Sequence, residues 1–313
     1  MTELRDVRLG SPPCAYELRR ATEAAARAAK AGPAASGQAC DVRAARMALE
    51  AELAAQGVNG RVVAGDGQRF GDPTRLPVWD VLLDPTEGGG CLAPGLTNAM
   101  ACLALAPAGT LFDPGPAFYM EKLVAPPQAR GRLDPAAPVE ERLAALAACL
   151  GKSVTHLTVY VLEKPRHRRL VERIQAQGAR VALFPAGDVA GAVLAATPQS
   201  GIDALMGTGG ILEGLLAACA AKAMGGTVFA RLDPQLPSER AAVAVAGLDT
   251  RRWLGLDDLV RSPEVVFCAT GITSGLLLDG VERGAGHERT QSLLAGGGAG
   301  DRQMLTCWHR LEG

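Results

Sequence analysis

The longest apolar stretches of this chain are short and separated by turn residues, which predicts alternating strands and helices. Residues 15–30 (AYELRRATEAAARAAK) carry Ala, Glu and Arg with no Gly or Pro and predict a helix stopped by Gly32-Pro33. A second helix is expected from an Asp41 N-cap to Gln56, and Asn59-Gly60 then turns into a short strand, Arg61–Ala64. Asn98–Ala106 (NAMACLALA) predicts a buried strand. Phe118–Val124 is its expected partner across a Pro/Gly hairpin connection, and Glu140–Leu150 reads as a helix with an Ala/Leu face. From Thr155 strand and helix alternate: strands at 157–162, 180–184 and 202–206, helices at 168–177, 189–196 and 213–224. Such alternation implies an α/β layer with ligand loops at the strand ends. Val265–Thr273 is a late strand, and the chain closes on an apolar and aromatic patch, Met304–Trp308.

The stretch around which the rest is organised is Trp79-Asp-Val-Leu-Leu-Asp-Pro-Thr-Glu-Gly-Gly-Gly90. An apolar run, Val81–Leu83, delivers Asp80, Asp84 and Glu87 to one place and then breaks into three glycines. Hard cations such as Mg²⁺ or Mn²⁺ take oxygen ligands, and glycine amides left open suit a phosphate. On these residues alone an acidic strand-to-turn transition explains the pattern equally well. Further strand ends add Gly65-Asp66-Gly67-Gln68, Lys164-Pro-Arg-His167, Pro185-Ala-Gly-Asp188 and Gly207-Thr-Gly-Gly-Ile-Leu-Glu213. Arg grips phosphate through parallel N–H bonds and Lys adds a point charge, although a solvated basic loop is the blander reading of 164–167.

Composition narrows the function classes. With 48% hydrophobic but only 4% aromatic residues, the core must be built from Ala, Val and Leu. A net charge of −1 without a basic tract argues against nucleic acid as a partner. No secretory signal and no membrane-length apolar run is seen, so the chain is expected to be cytoplasmic. Eight scattered cysteines without a C-x-x-C pair read as thiols rather than disulfides or a zinc site, and the four histidines show no metal-ligand spacing. His167 is expected to be a hydrogen-bonder in its loop. Trp253 and Trp308 are expected in the core or a subunit contact.

In order and spacing, Asp84-Pro-Thr-Glu-Gly88, Tyr119-Met-Glu-Lys-Leu123, Lys164-Pro-Arg-His167, Gly187-Asp-Val-Ala190, Gly209-Gly210 with Glu213-Gly214, and Ala269-Thr-Gly-Ile-Thr273 resemble the class II fructose-1,6-bisphosphatases. That group includes bifunctional fructose-1,6-/sedoheptulose-1,7-bisphosphatases, and the resemblance spans roughly residues 17–310. It implies a layered α/β/α/β/α sugar-phosphatase sandwich of the lithium-sensitive phosphatase superfamily. It implies a cytoplasmic, homo-oligomeric hydrolase of carbohydrate metabolism (gluconeogenesis and glycerol use) that needs Mn²⁺ or Mg²⁺. Residues 1–154 would form an N-terminal metal and phosphate lobe and 155–313 a C-terminal α/β substrate lobe, within one compact unit.

By position Asp66, Asp84, Glu87 and Glu213 match metal ligands, the last three also catalytic. Gly88, Gly89, Tyr119, Lys164, Arg166, Asp188 and Gly210 match substrate-binding positions, with the Gly88–Gly90 amides around the scissile phosphate. Several positions depart from the family pattern. Gln38 and Ala34 replace a metal-binding aspartate and a lysine, and Gly89 replaces the threonine that orients the attacking water. Ala186 replaces an aspartate, Gln68 an acid, and Asp66 stands where a glutamate is usual. The expected reaction is hydrolysis of fructose 1,6-bisphosphate to fructose 6-phosphate and phosphate. The alternative is a degenerate or repurposed paralogue that binds sugar phosphate with little hydrolysis.

Overall fold

In the computed structural model, residues 14–31, 41–65, 67–89, 97–296 and 300–311 are described. In chain order the elements are α1 (Ala15–Ala31), α2 (Val42–Ala55), β1 (Gly60–Val62), β2 (Arg69–Phe70), β3 (Trp79–Glu87), β4 (Met100–Pro107) and β5 (Tyr119–Ala125). Then come α3 (Val139–Leu150), β6 (Thr158–Leu162), α4 (Arg168–Ala176), β7 (Arg180–Phe184), α5 (Asp188–Ala196), β8 (Ala204–Gly210) and α6 (Ile211–Met224). Last are β9 (Thr227–Leu232), α7 (Pro237–Val245), β10 (Leu254–Gly255), α8 (Leu256–Leu259), β11 (Val266–Gly271), β12 (Glu282–Arg283), β13 (His287–Gly296) and β14 (Arg302–Arg310).

The α2 N-cap is as expected: the Asp41 side chain accepts from the Ala44 amide at 2.9 Å. Two sheets result. One runs β12-β13-β11-β4-β3-β1-β2, with β14 also on β13; the other runs β10-β9-β5-β8-β6-β7. Three apolar cores glue five layers together. Leu18, Leu49 and Leu53 of α1 and α2 pack on Val81, Leu103 and Leu105 of the larger sheet. The other face of that sheet (Leu82, Ala104, Phe267) meets α5 and α6, which rest in turn on Met120, Val124 and Tyr160 of the smaller sheet. Leu143 of α3 and Ile174 of α4 cover the outer face of the smaller sheet at Leu123, Val159 and Val161. β3 is therefore covered on both faces, which is why it reads as a continuous apolar run and not as an alternation.

Two expectations are corrected. β4 and β5 are not a hairpin pair: β4 lies between β3 and β11, whereas both edges of β5 are taken by β8 and β9 in the other sheet. The intervening residues instead carry the chain across the layers, Leu111 bridging to Val260 on the way. Second, Gly207-Thr-Gly-Gly210 is not a strand-end turn but the end of β8 itself, and Tyr119 pairs with Gly210 across the ladder. Of the two places expected for Trp308, the core is excluded, because it is exposed. Six of the cysteines fall in the described residues and all are free; Cys102, Cys219 and Cys268 are buried and Cys14 is exposed. No helix among the described residues is long and apolar enough to cross a membrane.

Candidate active site

The carboxyl ends of the three parallel strands β6, β7 and β8 meet the end of β3 around one cavity of about 950 Å³. Strand ends of an open α/β layer leave uncovered amides and loops, and ligands collect there. The cavity is lined by Glu87, Gly88, Tyr119, Lys164, Arg166, Ala186, Asp188, Gly210 and Glu213. Side chains far apart in sequence are thus gathered as expected. The half-buried Asp84 and Gly89 are not among the residues that line it. Asp66, Gly90, Ala34 and Gln38 lie outside the described residues.

β3 delivers its acids through a break in its pairing with β4 between Asp84 and Glu87, where Pro85 supplies no N–H. The Asp84 carboxylate accepts from the Thr86 amide at 3.0 Å. Glu87 reaches the N-terminus of α5, where Oε1 accepts from the Val189 amide at 3.2 Å. Its Oε2 is buried without any hydrogen-bond partner. Glu213 arrives in the first turn of α6. A methyl group at Gly210 would collide with its carboxylate, so the glycine leaves room for Glu213 to fold back over the strand end.

These acids repel one another in a dry place. Burial first, and Glu213 second, push the Asp84 carboxyl up to about 7. Burial, then Asp84, Glu213 and Asp188, push Glu87 well above the usual carboxylate range, the Val189 amide opposing them. A buried carboxylate oxygen with no partner, among like charges, fits a hard divalent cation. No three His, Cys, Asp or Glu side chains among the described residues already stand at ion-holding distance.

The sign of the pH effect follows. A carboxyl whose folded pKa is raised holds its proton more tightly in the folded chain. Metal-stripped protein is therefore expected to lose stability as pH rises from about 4 towards the Asp84 value of about 7. Melting temperature across that window checks this, and Asp84→Asn should flatten the fall; an equal fall in the variant would contradict it.

The basic groups come from the β6 end. Arg166 donates through Nε to the Thr208 carbonyl at 3.0 Å, and its guanidinium carbon lies 5.4 Å from the Tyr119 ring centroid. Lys164 lines the same cavity. His167 is the hydrogen-bonder expected: Nδ1 contacts the Leu162 carbonyl at 2.7 Å and Nε2 accepts from the Thr208 amide at 2.8 Å. Burial pushes its pKa down, which fits a neutral ring. The Tyr119 and Phe118 amides are both held by Glu239 Oε1, at 2.8 and 2.6 Å, fixing the start of β5.

Lys122 was not foreseen as a functional residue. Its side chain is 1% exposed and makes an ion pair with Asp188, and its Nζ also donates to the Gly210 carbonyl at 3.3 Å. The available signal was a lysine inside the apolar strand pattern of Tyr119–Leu123. Arg61 and Asp113 also line the cavity without having been singled out. Gln68 Oε1 accepts from Arg46 Nη2 at 2.8 Å.

Comparison with known proteins adds a family. The family model described as bacterial fructose-1,6-bisphosphatase, glpX-encoded, matches residues 13–309. The chain is 38% identical over 245 residues to the fructose-1,6-bisphosphatase class 2 of Haemophilus influenzae, covering 74% of this chain and 73% of that one. It is 34% identical over 278 residues to fructose-1,6-bisphosphatase 1 class 2 of Escherichia coli strain K12, covering 82% of each.

Proposed function

This chain belongs to the bacterial glpX-encoded, class 2 fructose-1,6-bisphosphatase family, and on that premise we propose that its cavity hydrolyses the 1-phosphate of fructose 1,6-bisphosphate, releasing fructose 6-phosphate and phosphate. The observation that carries the reading is a single cavity holding Glu87, Asp188 and Glu213 together with Lys164, Arg166 and Tyr119. A phosphate ester with a second phosphate needs both sets.

A divalent cation, Mg²⁺ or Mn²⁺, held by Asp84, Glu87, Glu213 and Asp66, would neutralise phosphoryl charge and sharpen the attacking water. The backbone at Gly88, which lines the cavity, receives the scissile phosphate. Lys164 and Arg166 bind the far phosphate, and the Tyr119 ring beside Arg166 keeps that guanidinium in place. Asp188 accepts from a sugar hydroxyl, and Lys122, paired with it, fixes its side chain at the cavity wall. The reading includes the lithium-sensitive phosphatase superfamily for the sandwich. It also includes a homo-oligomer in the cytoplasm, a place in gluconeogenesis or glycerol use, and lobes meeting near residues 154 and 155. Nucleic acid and membrane have no part in it.

Ala186 in the cavity wall, where the family carries an acid, and Gly89, which has no hydroxyl to orient water, favour a second reading: a paralogue that binds sugar phosphate and turns it over slowly. Phosphate release from fructose 1,6-bisphosphate with each metal separates the two. Metal-dependent release that vanishes in Glu213→Ala is expected. No release, with substrate still raising the melting temperature, would leave only the second reading.

A further inference from the structure

A second cavity, of about 460 Å³, opens on the α3 and α4 side of the smaller sheet. Its walls carry Arg142, Arg173, Arg231 and Arg251 against one carboxylate, Glu121, with Trp253 beside them. Most of that charge is already answered. Glu121 and Arg231 are cross-strand neighbours on β5 and β9, with Nε donating to Oε2 at 2.7 Å, and the Arg231 guanidinium lies 5.0 Å from the Trp253 ring centroid. Arg173 is held by Glu140 through two bonds of 2.9 and 2.5 Å.

Arg142 is answered only in part. Its side chain is 10% exposed, its nearest acid oxygen is Glu121 Oε1 at 4.0 Å, and its Nε is buried with no hydrogen-bond partner. Burial, and the charges of Arg173 and Arg231, press its pKa below the usual arginine value against the pull of Glu121. The Arg251 side chain makes no hydrogen bond or ion pair among the described residues. Pro138 and Val139, where α3 begins with no side-chain cap, line the same cavity. A buried guanidinium short of acceptors, close to a helix start, is a place where a doubly charged oxyanion removes the cost of unmade bonds.

We propose that this cavity binds a phosphate group, as the free ion or on a small ester, between Arg142 and Arg251 and beside Trp253. It is separate from the catalytic cavity, and the proposal does not depend on the reaction assigned there. Tyr119 of the catalytic cavity and Glu121 of this one are two residues apart on β5, so the sites share a strand.

The test is Trp253 fluorescence while inorganic phosphate is added at constant ionic strength. A saturable change is expected, absent in Trp253→Phe. Its midpoint should move at least about tenfold in Arg142→Met and in Arg251→Ala and stay put in Lys164→Ala. Arg251 is exposed, so Arg251→Ala carries the test even where the buried Arg142 variant fails to fold. Glycerol phosphate in place of inorganic phosphate distinguishes the two sources of the group: a tighter midpoint marks an ester site, an equal one a site for the ion. An unmoved midpoint in Arg251→Ala, loss of the response in Lys164→Ala, or no response at all overturns the proposal. So does a change of oligomeric size in Arg251→Ala without a change of midpoint, which would make the cavity a contact between copies.

Discussion

Glu87→Gln is expected to lower metal-dependent phosphate release by about a thousandfold while raising the melting temperature of the metal-stripped protein. The two effects have one cause. Glu87 is 2% exposed, its Oε1 is held by the Val189 amide, and its Oε2 has no partner. Asp84, Glu213 and Asp188 all disfavour its charge. Without a cation the carboxylate is a liability to folding, and an amide of the same shape removes repulsion while keeping an oxygen for Val189. With a cation the balance inverts, because anything bound by the folded chain alone stabilises it, and the carboxylate binds more tightly than the amide. The wild-type and variant melting curves should therefore exchange order as Mn²⁺ is added. A variant less stable than wild type in both conditions would mean that Glu87 is a structural hydrogen-bonder and not a group kept for a metal.

That acid was legible in the sequence because its position at the end of β3 is set locally, by an apolar run, a proline that breaks the ladder, and a glycine after the glutamate; only the Val189 amide that holds it comes from afar. α1, α2, α4 and the strand-end loops of β6 and β7 were legible for the same reason. What stayed hidden depends on distant partners. β13 and β14 form a long hairpin, yet β13 buries Glu288, Thr290 and Ser292, so it shows no apolar alternation. Those polar groups are satisfied from elsewhere: Thr270 bonds both Ser292 and Thr22 at 2.8 Å, and Glu288 binds Arg27 and Arg283, each at 2.6 Å. The glycines of β8 read as a turn because the groups that fill their missing side-chain space, the His167 ring, the Asp188 carboxylate and the Glu213 carboxylate, come from other elements. Resemblance to a family supplied the residue roles around the cavity; periodicity alone supplied the strands that carry them.

Lys122 belongs to the hidden class, and its removal should have the second large effect. Lys122→Met keeps most of the apolar stem of the side chain and removes the ammonium group with its charge and hydrogen bonds. Asp188, 8% exposed in its side chain, then loses its cation while Glu87 remains close enough to feel its charge. Breaking one partner of a buried pair costs about 3–5 kcal/mol, far more than the pair contributes over an apolar replacement of both. The loss should appear as a lower denaturant midpoint with an unchanged slope. Lys122→Met with Asp188→Asn should recover part of it, because no uncompensated charge remains. In activity, both single variants should raise KM for the sugar phosphate more than they lower kcat, since Asp188 binds substrate and Lys122 acts through it. Full activity with normal KM in a folded Lys122→Met protein would break that link. Equal destabilisation in the single and double variants would show that Lys122 holds the Gly210 carbonyl, the other oxygen within its reach, and not Asp188.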